Sequence, residues 1–185
     1  MSNPLVQAAR RVEAAGALDR ADRALHPRVT MLLRNDRWRS ALHGHWLGHA
    51  VHPLMTDFPL GMWMSGTLLD LVSGPEARPA SRRLIGIGIL ATLPTALTGA
   101  AEWGAIDAVR DRRTGLVHAA VNSTALALYT GSWLARRRGR HARGTVLAIS
   151  GGVAATVGGF FGGHLTEVRK VSSRHPSFDG PDAAA

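Results

Sequence analysis

The chain has 185 residues, no cysteine and a net charge of +9, which arginine supplies almost alone because Lys170 is the only lysine. The lack of cysteine excludes disulfides, thiolate metal ligands, iron–sulfur ligation and c-type haem attachment. Most arginines flank apolar segments, so the expected partner is the headgroup layer of a lipid bilayer, and no nucleic-acid binding is expected.

Residues 1–47 are polar and rich in arginine, and we interpret them as an amphipathic N-terminal segment. Their apolar residues recur at near-helical spacing, which predicts one or two amphipathic helices with breaks near Gly16 and at His26–Pro27. Such helices can lie on a membrane surface or pack on a partner, and the same pattern fits a solvated helix without a partner.

Four apolar segments of roughly membrane-spanning length follow. They run from about Leu54 to Ser73, Leu84 to Trp103, Gly115 to Leu134 and Thr145 to Leu165. The sequence therefore predicts an all-α fold, a four-transmembrane-helix bundle over residues 48–168 with an amphipathic N-terminal helical segment. Residues 169–185 are expected to be a disordered polar tail.

The fourth apolar segment contains two overlapping small-residue repeats, Gly158 to Gly162 and Gly159 to Gly163. Small residues at this spacing allow helices to approach closely. The pattern predicts tight packing around this helix, either within the chain or in a homodimer.

Polar residues gather at one end of these four segments. A four-span chain runs back and forth, so the start of the first span, the end of the second, the start of the third and the end of the fourth share one membrane face. These ends carry His49, His52, Asp57, Glu102, His118, Asn122 and His164. Ionisable groups at membrane depth are costly and mark candidate functional sites. The opposite ends carry only Asp70, which we expect to pair with Arg82 or Arg83.

The motifs in this region resemble a bacterial membrane family catalogued as domain of unknown function 2231. The resemblance covers roughly Trp46 to Val168 and rests on the stretch from Gly48 to Gly61, Thr98–Gly99 with Glu102–Trp103, Gly115–His118 with Asn122, and Gly162–Leu165. The family usually reads His-Pro-Leu-His-Pro at the first motif, whereas this chain has Ala50 and Val51 between His49 and His52. The resemblance implies a four-span membrane domain, sometimes fused to a Rieske-type iron–sulfur domain, and no established reaction.

Haem b is the first hypothesis for the polar cluster. Histidines on facing helices of a membrane bundle can act as axial ligands. His118 and His164 form the best pair and His52 is the alternate, while glycines such as Gly158 could leave room for the macrocycle. The Rieske fusions associate such a site with electron transfer, which makes an iron–sulfur or other redox protein the expected partner.

A non-haem metal ion is the second hypothesis. The candidate ligands are His49, His52, His118, His164, Asp57 and Glu102, a nitrogen and oxygen set that suits zinc, copper, iron or nickel. Asn122, one helical turn beyond His118, could orient an imidazole from behind.

The third hypothesis is structural, and a quinone, proton or small-solute site is a further alternative. The same polar groups can hydrogen-bond across helices and fix their register in a non-enzymatic membrane subunit or scaffold without a cofactor. No catalytic residue is predicted, and we expect no activity from the chain by itself. The charged N-terminal segment has no signal-peptide pattern, so we expect both termini in the cytoplasm of a bacterium and the chain in its cytoplasmic membrane.

Overall fold

The computed structural model describes residues 3–173 and 175. Within these residues the chain forms α-helices and no β-strand, which confirms the all-α class. The helices are α1 Pro4–Glu13, α2 Asp19–Leu32, α3 Asp36–His43, α4 His52–Val72, α5 Arg78–Gly104, α6 Val109–Arg137 and α7 His141–Gly163. A π-helical turn, His164–Val168, follows α7.

The N-terminal segment folds into two helices before α3. Asn3 caps α1 by accepting a hydrogen bond from the backbone N–H of Leu5 at 2.9 Å. A 3₁₀ turn, Gly16–Leu18, separates α1 from α2, so the predicted break near Gly16 is confirmed. The predicted break at Pro27 is wrong, because α2 continues through this residue. An internal proline removes one helical hydrogen bond and crowds the preceding turn, and α2 keeps its helical form while it makes the tertiary contacts described below.

The segment just before α4 contains a further short helix, α3. The Asn35 side chain caps α3 by accepting a hydrogen bond from Trp38 N–H at 3.1 Å. The helix ends at Gly44, whose φ of +72° favours glycine. A Cβ atom on Gly44 would lie only 2.4 Å from the carbonyl oxygen of His49, so any side chain here would disturb the approach to α4.

The four long helices extend beyond several of the predicted span limits. They contain 21, 27, 29 and 23 residues, because charged residues at their ends are also helical. By length and apolar composition, two helical stretches of the described chain could cross a bilayer, Pro75–Gly104 and His141–Val168. These match the second and fourth predicted spans, whereas α4 carries two aspartates and α6 carries arginines at both ends.

The chain divides into two compact units. Unit 1 comprises Met1–Leu54, Ala96–Val117 and Phe161–Ala185, and unit 2 comprises Met55–Thr95 and His118–Phe160. The core of unit 2 is built around Trp63 and Tyr129, whose rings stack with centroids 4.3 Å apart. Gly88 and Gly151 lie against these two rings, and a Cβ atom at either glycine would approach the ring within 2.8 Å.

Unit 1 is organised around the link between α5 and α6. The Trp103 indole N–H donates a hydrogen bond to the carbonyl of Arg112 at 3.0 Å, and the His26 ring of α2 meets the Trp103 ring edge-on at 5.3 Å. Gly104 contacts Val29 and Leu33, so α2 packs against the end of α5.

Candidate functional site

The residues of the predicted polar cluster fall in both units. His49, His52, Glu102 and His164 belong to unit 1, whereas Asp57, His118 and Asn122 belong to unit 2. Asp57 and His49 are exposed, and the other five are half-buried. Over residues 3–173 and 175, no group of three or more histidines, aspartates and glutamates has an arrangement that could hold a metal ion.

His52 contacts the neighbouring helix of unit 1. Its Nδ1 atom lies 3.2 Å from the hydroxyl of Thr98 on α5. The ring covers Gly99, where a Cβ atom would lie 2.7 Å from Cε1 of the imidazole. The close approach of α4 to α5 at this point therefore depends on glycine. His49 instead contacts the next residue, with Nδ1 3.0 Å from the carbonyl oxygen of Ala50.

Glu102 binds the segment that follows α7. The backbone N–H of Ser173 donates a hydrogen bond to Glu102 Oε2 at 2.8 Å, and the Ser173 hydroxyl is hydrogen-bonded to His43 Nδ1. The backbone N–H of His175 also donates to the carbonyl of Gly48 at 3.0 Å. The first residues of the predicted disordered tail are thus held against α3 and α5, while residues 174 and 176–185 lie outside the described residues.

His43 is a site residue that sequence reasoning missed. It is buried, and its Nδ1 atom lies 3.7 Å from Glu102 Oε1. Burial lowers the pKa of His43 below its usual 6.5, and the charges of His45 and Arg39 act in the same direction. The sequence signal that could have indicated His43 is its position at the C-terminal end of α3. This position alone was not sufficient, because a solvated histidine can occupy it equally well.

His164 pairs with the N-terminal segment. Its Nε2 atom lies 2.8 Å from Glu13 Oε1 at the end of α1. Arg169 lies 3.7 Å from the same Glu13 oxygen and donates a hydrogen bond to Asp111 at 2.7 Å. The imidazole nitrogen that the haem hypothesis needs therefore contacts a carboxylate of the same chain.

His118 joins α6 to α7 within unit 2. Its Nδ1 atom lies 2.8 Å from the carbonyl oxygen of Gly158, so Nδ1–H donates and Nε2 carries the lone pair. Asn122 lies against the imidazole and donates to the His118 carbonyl at 2.9 Å. A Cβ atom on Gly158 would lie 2.6 Å from Asn122 Oδ1. The Asn122 side chain thus occupies the space beside Gly158 in which the haem hypothesis placed the porphyrin ring.

The most buried ionic group lies at the other ends of the long helices, where the sequence drew attention only to Asp70. Arg136, which is 1% exposed, donates a hydrogen bond to Asp70 at 2.7 Å, and its second terminal nitrogen also pairs with this carboxylate. The expected partners Arg82 and Arg83 make no ion pair with Asp70 within the described chain, because Arg136 of α6 occupies that place.

Small polar groups complete the Arg136–Asp70 network. Arg136 also bonds the hydroxyls of Ser132 and Ser81 at 3.1 Å. Ser81 donates to the carbonyl of Gly66 at 2.7 Å, and Ser132 donates to that of Gly144 at 2.6 Å. Thus α4, α5, α6 and α7 are all joined through one buried guanidinium, which satisfies most of its donors.

A second ionic group docks the N-terminal helices within unit 1. Arg112 binds Asp22 through two hydrogen bonds of 2.8 and 3.0 Å, and Arg113 binds Asp19 through two of 2.7 and 3.0 Å. Arg113 also donates to the carbonyl of Glu13 at 2.8 Å. The sequence signal that could have shown this is a pair of acidic residues three apart on one face of α2, together with two adjacent arginines at the start of α6.

The fold and these sites together define an all-helical protein with long apolar helices and buried polar contacts between them. The sequence model of the family described as a predicted membrane protein, DUF2231, matches residues 48–174, and the chain belongs to this family. The suspected family resemblance is therefore confirmed, and the chain is placed among predicted membrane proteins in contact with a lipid bilayer. Neither the curated proteins nor the solved structures include a match.

Proposed function

We propose that this chain is a structural membrane subunit, a four-span helical platform whose polar side chains fix the helices and hold the N-terminal segment in place. One observation carries the proposal: most of the candidate ligands join separate segments of the chain. His164 meets Glu13, Glu102 meets Ser173, and His118 meets Gly158. Polar contacts of this kind give register to membrane helices that lack a hydrophobic drive to associate.

The four-span arrangement is supported by the Arg136–Asp70 network. It joins α4 and α6 to the two helices that are apolar enough to cross a bilayer. Charged groups at membrane depth pair with each other and face the bundle interior, and the buried pairing of Arg136 with Asp70 is consistent with this. We place both termini in the cytoplasm of a bacterium, because a long charged N-terminal segment is more easily retained than exported.

The structural role is tested with the substitution His164→Gln. We expect a correctly inserted, colourless and metal-free protein whose midpoint of thermal unfolding falls, because Glu13 loses its imidazole partner. The matched control is His141→Gln, which alters a histidine at the start of α7. Loss of a stoichiometric metal or chromophore in His164→Gln, with no change in the thermal midpoint, would contradict the proposal.

The scaffold role is tested separately in native membranes. An affinity-tagged full chain, extracted in mild detergent, should migrate on a native gel as a complex with at least one other protein. Mass spectrometry of that band would distinguish an iron–sulfur or other redox partner from a homodimer formed through α7. Migration only as a monomer or as an oligomer of this chain would overturn the scaffold role.

Haem b or a metal ion bound at His118 is a second candidate, favoured by the ring contact with Gly158. A backbone carbonyl that accepts from Nδ1–H makes Nε2, which lies 3.4 Å from the amide nitrogen of Asn122, the atom that would bind the ligand, and Asn122 would have to move aside. The test is an oxidised and dithionite-reduced spectrum of protein expressed with ample haem and iron, together with elemental analysis. A Soret band lost in His118→Ala but kept in His141→Ala would establish the site. A blank spectrum and no metal would overturn it.

A further inference from the structure

The turn between α6 and α7 borders an open cavity of about 160 Å³ in unit 2. Its lining surface is mainly apolar and includes Gly131, Leu134, Ala135 and Leu147, while the three arginines Arg138, Arg140 and Arg143 also border it. Gly139, with a φ of +73°, allows the tight turn that brings arginines from both helix ends to one opening.

The three cavity arginines differ from their neighbours in having no anionic partner among the described residues. Arg136 is paired with Asp70, and the Arg137 guanidinium lies 4.8 Å from the centre of the Trp133 ring. By contrast, Arg138, Arg140 and Arg143 are exposed and form no ion pair within the described chain. The sequence contains no aspartate or glutamate between Asp111 and Glu167, so nothing in this stretch can neutralise them.

In the four-span arrangement proposed above, on which this inference rests, the cavity would lie at the headgroup layer of the bilayer. Trp133, a residue type that favours the membrane interface, lies one helical turn before Arg137. On α7, the exposed apolar residues Val146, Ile149 and Val153 continue away from the arginines towards the middle of the helix. A ligand held here would have its anionic group at the turn and an apolar surface below it.

We propose that this cavity binds the phosphate of an anionic phospholipid. Arg138, Arg140 and Arg143 hold the headgroup, since guanidinium groups bind phosphate oxygens through paired hydrogen bonds. Leu134 and Leu147 pack against the first carbons of the acyl chains. The apolar wall distinguishes this site from one for a free phosphate ion, which would gain nothing from it.

The experiment compares lipid retention by the full chain in detergent, measured by native mass spectrometry after addition of phosphatidylglycerol or phosphatidylcholine. The wild type should retain phosphatidylglycerol in clear preference. The triple variant Arg138→Gln, Arg140→Gln, Arg143→Gln should lose roughly 100-fold in phosphatidylglycerol affinity at low salt, because each arginine near an anionic lipid surface contributes about fivefold. Phosphatidylcholine retention should change little.

The matched control is Arg10→Gln, Arg11→Gln, Arg34→Gln, which removes the same net charge from the N-terminal segment. Equal losses in the two triple variants would overturn the proposal, since only general charge would then matter. Equal retention of the two lipids by the wild type would also overturn it. A thermal shift of the wild type by inorganic phosphate as large as that by phosphatidylglycerol would instead establish a soluble anion site. Equal retention of the two lipids by the wild type, or an equal shift by inorganic phosphate, overturns the proposal even if the triple variant does not fold.

Discussion

Among single substitutions, we expect those of Arg136 and Asp70 to lower the stability most. Asp70→Asn would leave a fully buried guanidinium without its counter-charge, which we expect to cost about 3–5 kcal/mol in the free energy of unfolding. Replacing both residues, as in Asp70→Leu with Arg136→Met, should cost much less, because neither charge then stays buried alone. Unfolding followed by helical circular dichroism in mixed detergents would measure both.

Glu167→Gln is the matched control for Asp70→Asn, because Glu167 pairs with Lys170 at 3.8 Å on the exposed surface. If Asp70→Asn were no more destabilising than Glu167→Gln, the buried network would not hold the helices together. An equal loss in the single and double variants would show that packing, rather than the uncompensated charge, dominates.

We expect the stability of the folded protein to depend on pH through His43. Its pKa is lowered in the folded protein by burial, so the unfolded state binds the proton more readily below the usual value of 6.5. Stability should therefore be unaffected by His43 well above pH 6.5 and should fall as the pH drops below it. Thermal unfolding at pH 7.5 and pH 5.5 measures the loss, which should shrink in His43→Gln and persist in His141→Gln. An identical pH dependence in wild type and His43→Gln would refute this role.

The N-terminal helices act as a docked element rather than as an unattached membrane-surface segment. Asp19 and Asp22 lie one turn apart on α2 and bind Arg113 and Arg112 at the start of α6. Bidentate arginine–carboxylate contacts are directional, so they fix the orientation of α2 as well as its position. The Arg113 guanidinium beside Asp19 holds the pKa of that carboxyl below its usual range, so the pair persists to acidic pH.

Loss of the ion pairs of Asp19 with Arg113 and of Asp22 with Arg112 should release α1 and α2 from the start of α6. In the variant Asp19→Asn, Asp22→Asn we expect trypsin to cleave within residues 4–35 at least about tenfold faster, because a loss of ~1.4 kcal/mol changes the open population tenfold. Asp36→Asn, which alters an exposed pair with Arg39, is the control. Unchanged cleavage in the double variant would mean that apolar contacts, such as those of Val29 and Leu33 with Gly104, hold the helices alone.

For the whole molecule, the decisive question is whether α4 and α6 cross the membrane with α5 and α7. The chain lacks cysteine, so single cysteines can be labelled without a background. In a four-span protein, Trp46→Cys and Asp107→Cys should react with an impermeant thiol reagent from one side, and Glu76→Cys and Gly139→Cys from the other. If only α5 and α7 spanned the bilayer, Trp46→Cys and Glu76→Cys would react from the same side.

The long apolar helices, the all-α class and the family were accessible from the sequence, because helical periodicity and segment length are local properties. The partner of Asp70 was not accessible, since Arg136 lies 66 positions away and only helix packing brings the two charges together. The same reason applies to His164, whose contact with Glu13 depends on the docking of α1. The sequence determined which groups would be costly to bury, and the tertiary structure decided which groups compensate them, because partners of buried charges depend on neighbours in space rather than along the chain.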